Sequence, residues 1–370
     1  MIEHINYSTL ILIASLVFVV SLLAYHLLLK RKISLKKKND TGERFAAQTK
    51  PIWGGTVFFV SAISAIFCVL INGCLQYAAA ESGILVNGQF IEIIALGFCC
   101  ILAFTMGYID DVKNFSPLFK LIFQLICSAI LITTDVHIAT SDNIFLNYAL
   151  TVFWVVGIMN SINMLDNMDG ISASTALIIL MGIFGIAFVE NCFSDQIILL
   201  FIITSLIAFL FWNWHPAKMY MGDNGSQLLG IMLAYFSIKF VWNSAGDIKG
   251  FNYSQIIFIG MMFLVPLTDT TTVAVNRFLA GHSPFVGDRY HTTHCLVYKG
   301  LSIPQAVLLL DSITIIGTIA TWYFITYYDA LLPIPMAFIL LAYLTIVFSV
   351  AYILNLLIRK ENNLLNHKHE

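Results

Sequence analysis

Two adjacent carboxylates, Asp110 and Asp111, stand in the stretch Gly107-Tyr108-Ile109-Asp110-Asp111-Val112-Lys113-Asn114. Neighbouring carboxylates repel each other, and a divalent cation or a positively charged group is the usual remedy. Lys120 follows shortly after, beside Gln124, where it can hold a phosphate or snorkel to lipid headgroups. A second polar run, Asn160-Ser161-Ile162-Asn163-Met164-Leu165-Asp166-Asn167-Met168-Asp169-Gly170, places Asn160, Asn163 and Asp166 or Asn167 on one helical stripe, with Asp169 a turn further on. Amides and carboxylates stacked there offer the donors and acceptors that a nucleotide base or a sugar needs. In a third run, Asp223 is flanked by Gly222 and Gly225 at the expected start of a helix. Free backbone N–H groups at such a place face phosphate, and the carboxylate is suited to holding Mg²⁺. The fourth run, from Gly281 to His294, gathers Asp288, Arg289, His291 and His294, a set suited to anionic leaving phosphates. His291 and His294 are three apart with no Glu between them, so the spacing of a helical zinc site is absent. Asp269 and Arg277, just upstream, are expected to support this last loop. Taken singly, the motifs have plainer readings: an interfacial charge pair, a structural polar seam, an N-capping Asp.

The elements that must position these residues are dictated by composition. Of 370 residues, 59% are hydrophobic and only 11% charged, and the mean hydropathy is +0.85. That excludes a soluble domain of this length and requires a bilayer. Apolar stretches near 8–29, 52–73, 91–109, 117–134, 144–163, 171–190, 196–213, 224–242, 254–274, 302–326 and 333–357 each approach bilayer length. The expected fold is therefore an all-α, polytopic membrane protein of about eleven helices, the first of them retained. Strict alternation places all but Lys239 and Lys249 of the 19 Lys and Arg residues on one side. By the positive-inside rule that side is cytoplasmic, with the N-terminus outside and the C-terminus inside. The chain reads as one transmembrane catalytic domain over 1–370, with a basic cytoplasmic loop at 30–50 and a cytoplasmic loop at 276–300 that contributes to the site. All four motifs fall on the basic side. Glu81, Asp135, Asp142, Glu190, Asp195, Asp247 and Asp329 fall singly on the other side and read as solvated loop charges. The seven cysteines form no CxxC pair and read as packing residues. A secondary transporter or lipid flippase would place its carboxylates near the midplane rather than at helix ends.

Together, in this order and on this side, the motifs resemble the polyprenyl-phosphate N-acetylhexosamine-1-phosphate transferase family, from about Pro51-Ile52-Trp53-Gly54-Gly55 to Leu296. Ser283-Pro284-Phe285 followed by Asp288, Arg289 and His291 is similar to the branch that transfers GlcNAc-1-phosphate to undecaprenyl phosphate. The branch acting on UDP-MurNAc-pentapeptide is the alternative. The resemblance implies that a UDP-N-acetylhexosamine and a polyprenyl phosphate are the substrates, that UMP is released, and that a lipid-linked cell-envelope glycan is begun. It implies Mg²⁺, with Mn²⁺ as a substitute, and no nucleic-acid partner; a homodimer is left open. Residue by residue, Asp110 and Asp111 would serve the lipid phosphate, and Asn163, Asp166 and Asp169 the nucleotide-sugar, with Asn160 and Lys120 as further substrate contacts. Asp223 would ligate Mg²⁺, with Asp166 as a second candidate, and Asp288, Arg289, His291 and His294 would bind the pyrophosphate or the sugar. Two positions depart from the family's pattern: Thr293 stands where a histidine is usual, and Asn167 where a glycine is common.

Overall fold

The computed structural model describes residues 7–30, 50–79, 88–113, 115–244, 253–279, 291–328 and 332–366. The expected basic loop is therefore outside the described residues except at its ends, as are Asp288 and Arg289. The described chain is helical, as apolar sequence in hydrocarbon must be, because only a helix satisfies its backbone polar groups within one segment. In order come α1 (Tyr7–Lys30), α2 (Gly54–Ala79), α3 (Gly88–Lys113), α4 (Pro117–Thr133), α5 (Ile144–Leu165), α6 (Ile171–Val189), α7 (Phe193–Asn213) and α8 (Asp223–Ser237), which continues as a π-helical turn (Ile238–Trp242). Then follow α9 (Tyr253–Met262), α10 (Leu264–Leu279), α11 (Thr292–Tyr298), α12 (Ile303–Tyr327) and α13 (Ile334–Asn366). Among the described residues nine helices are long and apolar enough to cross a membrane, or ten if α9 and α10 are one bent span.

α8 is the axis of the bundle. Almost every residue of it is buried, and it packs along α3 and α5 with α2 and α6 beside it. α1 and α2 lie on α7, while α6 packs on α7 and α12. α13 is peripheral, against α9, α10 and α11, and its exposed Phe338, Ile339, Ile346, Val350 and Ile353 form an apolar outer face suited to lipid.

The expected ninth span, 254–274, is not one rod. It breaks between α9 and α10 with a bend of 85°. Pro266, at the third position of α10, has no N–H to donate and its ring obstructs the carbonyl of Met262 four residues back, so the helix cannot run through. Ser161 Oγ of α5 donates to the Pro266 carbonyl at 2.6 Å and also meets Thr270 Oγ1 at 2.8 Å, which anchors the start of the bent half. The break turns α10 so that Asp269 reaches the start of α11.

The reading of Asp195 as a solvated loop charge is also corrected. Asp195 lies in the first turn of α7, is fully buried, and pairs at 3.0 Å with Lys239 on the π-helical turn. Lys239 pairs as well with Glu92 of α3, at 3.0 Å. A carboxylate so deep is tolerable only with a counter-ion, and Lys239 supplies it.

Candidate active site

Asp110 and Asp111 lie in the last turn of α3, at the negative end of that helix's dipole, where a carboxylate is disfavoured. Each is compensated differently. Asp110, 2% exposed, accepts the Phe115 N–H at 2.7 Å through Oδ1 and is ion-paired through Oδ2 with Lys120 in the first turn of α4. Asp111, 3% exposed, turns to the N-terminus of α8. There it accepts the Asp223 N–H at 3.0 Å, the Asn224 N–H at 3.2 Å and the Asn224 Nδ2 amide at 3.0 Å. Its charge thus meets free N–H groups and the positive end of the α8 dipole. The two adjacent aspartates, alike in sequence, do different things: one forms an ion pair, the other caps a partner helix.

That close seating depends on two glycines. A Cβ on Gly107 would lie 2.3 Å from the Asp223 carbonyl oxygen, so only glycine lets the end of α3 rest on the start of α8. Gly222 has a φ of +81°, a conformation side chains resist, and its Cβ would also fall 2.8 Å from Asp111 Oδ2. The chain before α8 is held from the other side by a short ladder: Tyr220 N–H donates to the Pro51 carbonyl at 2.9 Å, Gly54 N–H to Tyr220 at 3.0 Å and Gly55 N–H to Met221 at 3.0 Å. The Pro51-to-Gly55 stretch therefore clasps the loop that presents Asp223.

Asp223 opens α8 with Oδ1 accepting Asn163 Nδ2 at 3.0 Å and Oδ2 lying 3.6 Å from Lys120 Nζ. Asn163 also donates to Ser226 Oγ at 2.9 Å. Asp110, Lys120, Asn163 and Asp223, from α3, α4, α5 and α8, therefore meet at one end of the bundle. Lys120 and Asp223 keep 23% and 18% of their side chains accessible, so these two face what enters the site. One turn deeper, and unanticipated apart from Asn160, lies a floor of carboxamides. Gln124 and Asn160 exchange hydrogen bonds at 2.9 and 3.1 Å, and Gln124 also donates to Gln227 Oε1 at 3.2 Å. Asn160 Nδ2 additionally bonds its own helix at Val156 O. Gln124 and Gln227 sit four residues after Lys120 and Asp223 respectively, a helical repeat inside apolar spans that was the available signal.

The other expected residues are placed as follows. Asp166 terminates α5 one turn beyond Asn163. Asp169 pairs with His215 Nδ1 at 2.9 Å and accepts the Ala217 N–H at 3.0 Å, so it braces the 214–221 loop. His291 Nδ1 meets Asp269 Oδ2 at 2.8 Å, and Asp269 Oδ1 accepts the Thr292 N–H at 2.7 Å, the support expected of Asp269. His294 stacks edge-on to His291, their ring centroids 5.6 Å apart, and is 1% exposed. Within 276–300 the described part is the end of α10 and the helix α11.

For a cation, the donors at the Asp110–Asp223 junction are hard carboxylate oxygens, with the anionic charge exceeding that of Lys120. Among the described residues no three His, Cys, Asp or Glu side chains form a ready-made metal cage. Hard carboxylate oxygens are the donor type that Mg²⁺ takes, one or two at a time beside its waters and substrate phosphates.

The described helices thus gather carboxylates, a lysine and an amide at one end of an apolar helical bundle. The chain belongs to glycosyl transferase family 4, whose family model matches residues 93–241, the stretch from α3 to the end of the α8 π-helical turn. It is 30% identical over 263 residues to a probable undecaprenyl-phosphate N-acetylglucosaminyl 1-phosphate transferase of Bacillus subtilis, covering 67% of this chain and 71% of the relative. It is 29% identical over 297 residues to a decaprenyl-phosphate N-acetylglucosaminephosphotransferase of Mycobacterium leprae, covering 70% and 69%. A phospho-N-acetylmuramoyl-pentapeptide-transferase of Streptococcus mutans is 29% identical over 256 residues, covering 62% of this chain and 72% of its own.

Proposed function

We propose that this protein transfers N-acetylglucosamine-1-phosphate from UDP-N-acetylglucosamine to undecaprenyl phosphate, releasing UMP and beginning a lipid-linked envelope glycan. The observation that carries this reading is the meeting of Asp110, Lys120, Asn163 and Asp223 from four helices at one end of the bundle. In the reaction an oxygen of the lipid phosphate attacks the sugar-linked phosphorus, and the bond from that phosphorus to UMP breaks. Several anionic phosphoryl groups converge, so charge neutralisation is the main requirement. Lys120 holds a phosphate oxygen, Asn163 keeps Asp223 oriented, and Asp110 and Asp223 are the carboxylates that would hold Mg²⁺. Bound there, Mg²⁺ would supply Lewis-acid neutralisation of developing charge, and Mn²⁺ would substitute. The second phosphate pKa of about 6 makes the lipid phosphate a competent nucleophile near neutrality, so Asp110 positions more than it deprotonates. A cavity of about 250 Å³ lined by Leu165, Val265, Leu310 and Val347, with Asp269 and Thr292 also on its wall, is suited to the first prenyl units. The proposed setting is the plasma membrane, with this end of the bundle, and the C-terminus, in the cytoplasm, as the distribution of Lys and Arg supports.

The test is to incubate the purified protein with undecaprenyl phosphate, Mg²⁺ and each of several UDP-N-acetylhexosamines, and to measure UMP. Release with UDP-N-acetylglucosamine is expected. Silence with every donor would defeat the proposal, and a response to UDP-MurNAc-pentapeptide alone would reassign the donor.

A further inference from the structure

Asn167 and Thr293, from two separate polar runs, are the two ends of one hydrogen bond. Thr293 Oγ1 of α11 donates to Asn167 Oδ1, on the turn between α5 and α6, at 2.7 Å across 126 residues of sequence. Thr293 is fully buried and Asn167 is 7% exposed, so no water competes for the pair. The other end of the Asn167 amide is occupied as well, since Nδ2 donates to the Met164 carbonyl at 3.0 Å, which fixes the carboxamide relative to the end of α5. On the far side, α11 is held by Asp269 of α10 through the His291 ring and the Thr292 N–H. A helix of 7 residues has too few internal bonds to keep its own place, so its anchors decide where its side chains stand. α12 and α13 pack on it. One polar anchor lies on α10, and another is Asn167, adjacent in the chain to Asp166 and one turn from Asn163.

We propose that Asn167 and Thr293 form a positioning unit that registers the α11 histidines against the Asn163–Asp166 end of α5 and thereby sets affinity for the nucleotide-sugar. Neither residue is assigned a substrate contact. The proposal rests on the reading that this end of the bundle takes a UDP-sugar. Because both groups are buried, removing either leaves the other without its partner, and the loss of the bond is complete after the first substitution. The two substitutions must therefore be non-additive.

The test uses the full-length protein in detergent and measures UDP-N-acetylglucosamine binding by calorimetry alongside initial rates with undecaprenyl phosphate. Thr293→Val and Asn167→Ala are each expected to weaken binding about tenfold and to raise the donor KM to match, with kcat held within about twofold. The double variant should be no weaker than the worse single one. Thr293→Ser, which keeps the hydroxyl, should bind as the unaltered protein does. Melting temperatures of all variants identify any that do not fold, and Asn167→Ala reads the bond independently of the valine. Single effects that multiply in the double variant would overturn the unit. So would an unchanged KM accompanied only by a lower melting temperature, or failure of the serine to restore binding. An unaltered protein that binds the donor without turnover leaves the affinity cycle as the test of the pair. One that neither binds nor turns over any UDP-sugar removes the functional reading and the unit with it.

Discussion

Asp111 and Asp223 meet at the α3–α8 junction with different duties, and substitution separates them. Asp223→Asn keeps an oxygen for Asn163 but removes the negative charge that the proposed reaction needs there, so kcat should fall on the order of 100-fold or more with little change in melting temperature. Asp111→Asn should behave differently. It retains one acceptor for the α8 N-terminus but removes the charge facing three donors, which should lower stability by about 1–2 kcal/mol. Thermal unfolding in detergent, read against initial rates, checks both; a stable but inactive Asp111→Asn would contradict the capping role. The types and the shared side of these residues were readable, because carboxylates and amides at the ends of apolar runs are expensive unless used. Their partners were not. Asp111 accepts backbone N–H groups of α8, which carry no residue-type signature, and the His215 and Ala217 that meet Asp169 lie 46 and 48 residues away in the chain.

At the level of elements, the contact between α3 and α8 is the joint on which the site depends. Gly107→Ala would place a methyl group 2.3 Å from the Asp223 carbonyl oxygen, forcing the two helices apart at a cost of about 1–3 kcal/mol and displacing Asp223 from Lys120. Gly157→Ala in α5, where an added Cβ meets nothing within 4 Å, serves as the control and should be neutral or slightly stabilising. Measured melting temperatures and UMP release should therefore diverge between the two. Every apolar segment expected from hydropathy has a helix, because bilayer length is a strong constraint. The break between α9 and α10 escaped because a hydropathy average passes smoothly over Pro266, whose effect is local and steric.

For the molecule as a whole, the arrangement of sides is the testable matter. α4 has only 17 residues, a rise of about 26 Å, close to a hydrocarbon core of about 30 Å. Its flanking Ser116 and Asp142 are both exposed. Cysteines introduced singly at these two positions, after replacement of the accessible native cysteines, should react with a membrane-impermeant maleimide from opposite faces of the membrane. Labelling of both from one face would make α4 re-entrant and undo the assignment of sides. The burial of Asp195 was hidden from the sequence, because nothing in a lone acidic residue tells which helix will answer it.

The π-helical turn that carries Lys239 fastens α8 to α3 and α7 on one side, while Asp111 holds the opposite end of α8. About 27 Å of helix separates Glu92 from Asp110 on α3, nearly the thickness of the hydrocarbon layer. A rod moored at both shores cannot slide or lean when the water level changes. Reconstitution into short-chain or long-chain phosphatidylcholine should consequently tilt the outer rods α1 and α13 and leave the central one unmoved, so turnover should vary little with acyl length. Loosening the outer mooring by Lys239→Met should make the rate depend steeply on bilayer thickness.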